Sequence, residues 1–493
     1  MSGQSSLLAD VRRLAEQAVR TYAGSPCEPA VRVMLARLDE PLRVAIAGKV
    51  KAGKSTLLNA LVGESLAPTD AGECTRIVTW YRNGFTYRAS IDRRDGTSVP
   101  ARFTRDGGSL EVHLDGNAPE DVSRLMIEWP SSALSTMTLI DTPGIGSLTK
   151  DAEDRTRSFL GSAGELHSGA DAVIYLMRHM HGADARFLES FHDDRTMATP
   201  VNAIGVLSRA DEIGGGRADS LRSATRIADR YRGDVNIRRL CQTVVPVAGL
   251  LAQLGGSLTE AEFRAVAKLA AVGEDECESL LLSADRFATS PSSIGLATDE
   301  REHLIGRFGL FGLRIANALL RAGRVTTSRQ LAEELRQRSG LDDLRRELTT
   351  HFSLRRDLLK ARSTLLALTD LVHRHPGPDV DRLSDAIERV EAGAHELAEL
   401  ELLVGVRAGA IRLDEDEVVE VERVVGSIGA GHAARLGIAP DASPRVLQTT
   451  ALASHDRWAV RAEHPLTSVT VATAARVMQR SYQAILADVH AAV

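Results

Sequence analysis

The chain has 493 residues, 26% of them charged, and a formal net charge of −6. That length supports two or more domains with real cores, and the mildly acidic balance excludes a global nucleic-acid-binding signature, so no nucleic acid is expected as a partner. The four cysteines at 27, 74, 241 and 277 are too sparse for a disulfide framework or a metal site and read as reduced thiols of a cytoplasmic protein; neither a leader segment nor a membrane-spanning apolar run stands out.

In chain order, residues 6–23 and 29–39 show helical periodicity, carried by Leu7, Val11, Leu14 and Ala18 and then by Val31, Met34 and Leu35. An apolar run, Leu42 to Ala47, then enters Gly48-Lys49-Val50-Lys51-Ala52-Gly53-Lys54-Ser55, followed by Thr56 and a helical stretch to about Val62. Strand, glycine-rich loop and helix in that order form a phosphate-binding loop. Its backbone N–H groups and the positive end of the helix dipole face the phosphate oxygens, Lys54 neutralises the β- and γ-phosphates, and the Ser55 hydroxyl ligates Mg²⁺. Thr75 follows in the polar stretch Pro68–Arg76, where Gly72 permits a turn; it is the candidate switch residue that closes on Mg²⁺ when a γ-phosphate is present.

A strand-rich insert is expected between Trp80 and Trp129. Met137 to Ile140 reads as a buried strand ending in Asp141-Thr142-Pro143-Gly144, with Asp141 placed for Mg²⁺ and the Gly144 N–H placed to sense the γ-phosphate. The strand Ala203–Leu207 delivers Ser208-Arg209-Ala210-Asp211. On its own Asp211 is an ordinary loop aspartate; after the two preceding motifs it is the acceptor for guanine N–H groups, an acceptor that an ATP site does not need. Val247-Ala248-Gly249, after another short strand, adds a weaker base-contacting candidate in Ala248 and Gly249. This alternation implies an α/β fold, a mostly parallel sheet with helices on both faces, and a nucleotide at the carboxyl ends of the strands.

Beyond about residue 256 the pattern is helical. Leu341 to Val372 carries one long apolar face, opened by Ser339-Gly340 and closed by His375-Pro376-Gly377-Pro378; a single helix there spans roughly 45 Å at about 1.5 Å per residue. A second helix is expected over 380–406, with more over 413–426, 443–460 and 467–491. The layout is N-terminal helices (1–40) joining the bundle, a nucleotide-binding domain (41–255), a helical connection (256–340) and a neck or trunk bundle (341–493). Two apolar stretches, 402–411 and 424–431, are either lipid-contacting tips or helix ends packed inside the bundle, the second being the simpler reading.

The spacing from phosphate loop to Thr75, the Pro-x-x-x-Gly-x-x-Thr-Arg pattern at 68–76 and the Asp-Thr-Pro-Gly at 141–144 resemble the dynamin superfamily. The layout resembles the bacterial dynamin-like proteins, and most of all the shorter member of the mycobacterial isoniazid-inducible pair. That resemblance implies a GTPase head on an elongated helical bundle, GTP and Mg²⁺ as ligands, head-to-head self-association, a longer dynamin-like paralogue as a possible partner, and peripheral contact with anionic lipid at the inner face of the plasma membrane. Two departures bear on the chemistry. Where dynamins carry a polar pair, this chain has Val50 and Lys51, and guanylate-binding proteins place an internal arginine finger where Lys51 stands. Three of the six lysines stand at 49, 51 and 54. Lys51 is therefore the candidate for in-cis charge stabilisation, against the plainer reading of a solubilising loop lysine. Arg209 replaces the usual lysine of the guanine motif, and no side chain in view is an obvious general base. A catalytically weak subunit and a soluble regulatory switch remain open alternatives to membrane remodelling.

Overall fold

A computed structural model describes residues 2–64, 66, 67, 77–106, 109–143, 169–180, 182, 184, 185, 188, 202–377, 379–426, 429 and 431–491. The strands are β1 (Leu42–Gly48), β2 (Thr79–Asn83), β3 (Arg88–Arg93), β4 (Ser98–Ala101), β5 (Phe103–Asp106), β6 (Ser109–Val112), β7 (Val122–Trp129), β8 (Met137–Asp141), β9 (Ala172–Met177), β10 (Ala203–Ser208) and β11 (Val244–Val247). Nine of them form one sheet in the order β11-β10-β9-β1-β8-β2-β7-β3-β4, and β5 pairs with β6 separately. Five of the pairings are parallel, from β11 through to β8 and again between β2 and β7. Antiparallel pairing begins where β2 joins β8, and the expected strand-rich insert builds that side of the sheet.

Central β1 shows why its sequence is apolar at every position but Arg43. Leu42, Val44 and Ile46 face one core, Ala45 and Ala47 the other. A strand covered on both faces reads as a near-continuous apolar run; the exception, Arg43, lies near its start and pairs with Glu40 at 2.6 Å. The helices α1 (Ser2–Thr21), α2 (Glu28–Arg37) and α3 (Lys54–Val62) cover the first face, while α4 (Ser220–Gly233) and the short α5 (Val235–Arg238) cover the second.

From α6 (Gly249–Ser257) onward the chain is helical: α7 (Glu260–Ala271), α8 (Glu274–Leu280), α9 (Ala284–Thr289), α10 (Thr298–Arg321, broken at Gly309), α11 (Ser328–Arg338), α12 (Leu341–Leu348), α13 (Arg356–Arg374), α14 (Val380–Gly393), α15 (His395–Arg407), α16 (Glu415–Val424), α17 (His432–Leu436), α18 (Pro444–Glu463) and α19 (Val469–Ala491). Helices α6 to α11 share a core of their own. By contrast, α12, α13 and α14 bury Leu344, Leu365 and Leu383 in the core that also holds β1, α1 and α3. Another core joins α15 to α19 around Trp458, Met478 and Tyr482. Among the described residues no helix is long and apolar enough to cross a membrane.

Two long helices expected from periodicity are interrupted. The stretch 341–372 is α12, a π turn at Thr349–Ser353, and α13. Leu344, Leu348 and Phe352 keep i, i+4 spacing into the wide turn, so the apolar face gives no sign of it, and His351 and Phe352 are both buried there. The stretch 380–406 breaks at Ala394, whose ψ of 105° is extended; Gly393 just before it is the local signal that the periodicity passes over. In the two apolar stretches considered as lipid tips, Leu402, Leu403, Val404, Val406, Val424 and Val425 are buried and Gly409, Ala410 and Gly431 are exposed, whereas 427, 428 and 430 lie outside the described residues.

Three joints hold the sheet against the helices. Buried Asp171, just before β9, accepts hydrogen bonds from Arg37 of α2, the Arg43 backbone of β1 and Ser363 of α13, each at 2.9 Å. Ser339 accepts the Ala248 N–H at 2.8 Å. Next to it, Gly340 has φ of 78°, and a Cβ there would sit 2.1 Å from the Pro246 carbonyl oxygen. The third joint is the Arg407 guanidinium, which donates to Glu422 at 2.9 Å and to Gln242 at 2.8 Å, while Arg239 donates to the Ala408 carbonyl at 2.7 Å.

Candidate functional site

The phosphate loop leaves β1 at Gly48, which must be glycine: a Cβ would lie 2.6 Å from the Leu176 carbonyl oxygen of β9. Val50 is 47% exposed. Lys51 adopts φ of 61°, one of three non-glycine residues with positive φ among those described, and its ammonium has no partner among the described residues. Non-glycine residues in this region carry strain of about 1–3 kcal/mol, which a surrounding structure must hold in place. Ala52 is buried, and its N–H bonds to the Lys49 carbonyl at 3.1 Å. Gly53, at φ of 93°, caps α3 without any side-chain hydrogen bond, so the first turn keeps its N–H groups for an oxyanion.

Lys54 and Ser55 open α3. The Lys54 ammonium rests on the Gly48 and Lys49 carbonyls at 3.3 and 3.4 Å. Burial lowers its pKa, and the charge of Asp141 partly offsets this. The Ser55 hydroxyl donates to Asp141 Oδ2 at 3.2 Å. Asp141 ends β8, the neighbour of β1, and burial pushes its carboxyl up to about 6 despite the nearby Lys54 charge. Its other oxygen, Oδ1, is buried without a hydrogen-bond partner among the described residues. A carboxylate oxygen left unsatisfied beside a serine hydroxyl is an all-oxygen donor set, which suits a hard divalent cation such as Mg²⁺.

On the far side of α3, a cleft of about 130 Å³ is lined by Gly53, Thr56, Leu176, Val206, Ser208, Arg209, Asp211, Gly249 and Leu250, among others. Asp211 is buried, and desolvation raises its carboxyl to about 6. Ser208 donates to the Met177 carbonyl at 3.3 Å. Arg209, itself at φ of 52°, donates to Glu212 at 2.7 Å and across to the Lys51 carbonyl at 2.9 Å. Arg209 thus ties the loop after β10 to the phosphate loop. Ala248 precedes α6, and a Cβ on Gly249 would lie 3.2 Å from Thr56 Cγ2, so this loop closes the cleft against α3.

The structure therefore lines one cleft with Ala52, Gly53, Thr56, Ser208, Arg209, Asp211 and Gly249, and brings Lys54, Ser55 and Asp141 together at the start of α3. Thr75 and Gly144 lie outside the described residues. Lys49 points elsewhere: its ammonium meets Asp184 at 2.9 Å. Asp184 carries no motif and no spacing signal, and sequence reasoning does not find it.

The model of the Dynamin family matches residues 44–208. Isoniazid-induced protein IniC of Mycobacterium tuberculosis (strain H37Rv) is 40% identical over 488 residues, 97% of this chain and 98% of the relative. Bacterial dynamin-like protein of Nostoc punctiforme is 31% identical over 178 residues, 33% of this chain and 24% of the relative. A solved structure described as "An oligomerised bacterial dynamin pair provides a mechanism for the long range sensing and tethering of membranes" is 12% identical and spans 99% of this chain and 76% of that one, at a TM-score of 0.31, too low to carry weight.

Proposed function

The chain belongs to the dynamin family, and from that premise we propose that it binds GTP with Mg²⁺, hydrolyses it to GDP and phosphate, and couples the cycle to membrane remodelling at the cytoplasmic face of the plasma membrane. The observation that carries the reading is the buried Asp141 Oδ1, without a hydrogen-bond partner among the described residues, beside Ser55 and Lys54. Ser55 and Asp141, with Thr75, would hold Mg²⁺, which offsets negative charge on the phosphates when bound. The loop backbone from Gly48 to Gly53, the first turn of α3 through Thr56, and Lys54 receive the polyphosphate, with Gly144 sensing its terminal group. Asp211 accepts the guanine N–H groups, while Ser208, Arg209, Ala248 and Gly249 shape the base cleft.

Lys51 supplies positive charge to the transition state as a point charge, without the fork of an arginine. Its strained backbone and an ammonium without a partner among the described residues support that role over a passive surface lysine. Half-exposed Val50 offers no polar group for the attacking water, which favours slow turnover completed by a second head or by a longer dynamin-like paralogue. For lipid contact, the turn between α18 and α19 is the better surface: Leu466 is 90% and Val469 83% exposed.

The test is GTP turnover of the full chain, with ATP as control, with and without anionic liposomes, beside Lys54→Ala. Lysine-dependent GTP turnover that rises on liposomes is the expected result. Turnover indifferent to lipid points to a soluble switch or a partner-dependent subunit, and equal turnover of ATP defeats the guanine assignment.

A further inference from the structure

Lys49 stands in the phosphate loop yet does not face the phosphate side. Its ammonium lies 2.9 Å from Asp184 Oδ2, and Asp184 is 1% exposed. The other oxygen, Asp184 Oδ1, accepts the Tyr175 hydroxyl at 2.7 Å. Tyr175 belongs to the core on the face of the sheet opposite α3, with Ala47 and Val173. The lysine side chain therefore crosses from the loop to the far face and is held there by a buried carboxylate.

Lys49's main chain does a second job. Its carbonyl accepts the Ala52 N–H at 3.1 Å, and that carbonyl with the one of Gly48 seats the Lys54 ammonium. Rotating the 49 peptide unit would move both the loop's internal turn and the resting place of Lys54. The Lys49 side chain stays 43% exposed while that of Asp184 is 1% exposed, so it is the carboxylate that is costly to leave without its ammonium. It is therefore the group best able to keep that peptide unit fixed.

We propose that Asp184, oriented by Tyr175, is a positioning residue for the phosphate loop, acting through Lys49 on Ala52 and Lys54. Its catalytic consequence rests on the GTPase reading; its structural part does not. The catalytic test is a double-mutant cycle of Lys49→Met and Asp184→Asn, read as kcat and KM for GTP. Each single variant is expected to lose kcat/KM on the order of 10- to 100-fold. The double variant should lose no more than the worse single one, because both remove one interaction. Lys49→Arg, which keeps the ion pair, should recover most of the loss.

The structural test is amide exchange of Ala52 in the nucleotide-free protein, with the melting temperature as a folding control. Exchange is expected to accelerate in Asp184→Asn and less so in Tyr175→Phe, which leaves the ion pair in place. Wild-type Ala52 exchange in folded Asp184→Asn, or fully additive losses in the cycle, overturns the proposal. Should the wild-type chain fail to bind a fluescent-free GTP·Mg²⁺ sample by calorimetry, the GTPase reading falls, and the exchange measurement still decides the brace.

Discussion

Without nucleotide, Asp141→Asn is expected to make the protein more stable while abolishing Mg²⁺-dependent GTP binding. Burial lifts the Asp141 carboxyl from an ordinary 3.8 to about 6, a balance that already contains the favourable charge of Lys54. Ionising it in the folded site thus costs roughly 3 kcal/mol more than in the unfolded chain. The sign follows from proton linkage: the folded state holds this proton more tightly, so stability is greatest below the unfolded pKa and is lost as pH rises through about 6. Asparagine has nearly the same shape and no charge. Its advantage is therefore about 3 kcal/mol at pH 7.5 and only about 1 kcal/mol at pH 4.5. Thermal melts of wild type and variant at the two pH values, with and without GTP and Mg²⁺, check this. Added Mg²⁺ and GTP should stabilise the wild type and leave the variant unmoved. A variant less stable than wild type at pH 7.5 without ligand, or one that still gains from Mg²⁺ and GTP, refutes the placement of the metal at this carboxylate.

Asp211 is raised to about 6 by the same cause, so GTP affinity should fall as pH drops through about 6, where the acceptor for guanine becomes protonated; affinity titrations across that window that stay flat would count against it. Lys51→Ala should keep GTP affinity and lower kcat by at least about tenfold, measured in single-turnover assays, and unchanged kcat would remove Lys51 from catalysis. Gly340→Ala meets both a left-handed backbone and a carbonyl oxygen 2.1 Å from the new Cβ, so denaturant unfolding should show a loss of about 3 kcal/mol or more. Leu466→Asp with Val469→Asp should leave melting unchanged, because both side chains are exposed, and should reduce liposome co-flotation severalfold; undiminished flotation would place lipid contact elsewhere.

Much of the site was legible because its parts are local. Gly48, Gly53, Lys54 and Ser55 lie on one strand–loop–helix unit, and backbone geometry alone dictates their spacing. Asp141 and Asp211 were legible as the ends of apolar runs, since strands buried on both faces advertise themselves. Less legible were the two helix breaks, at the π turn and at Ala394, where apolar spacing continues through a change of backbone. The stretches at 402–411 and 424–431 illustrate another limit: apolar content alone does not separate a surface tip from a packed helix end, and burial decided for packing at Leu402, Leu403, Val404, Val406, Val424 and Val425.

By itself the sequence determined the phosphate loop, the order of the nucleotide motifs, the mostly parallel sheet and the helical remainder, all of which follow from short-range periodicity and from residues close together in the chain. Only the tertiary structure decided how the loop is braced. Arg209 reaches the Lys51 carbonyl and Lys49 reaches Asp184 across more than a hundred residues of chain. Likewise Ser339 and Gly340, just before α12, pack against β11 and the residue after it at Pro246 and Ala248. Such contacts obey no fixed spacing, because they are set by which strands become neighbours in the sheet and how helices close over its edges. The strain of Lys51 and the unsatisfied oxygen of Asp141 likewise exist only once those neighbours have been brought together.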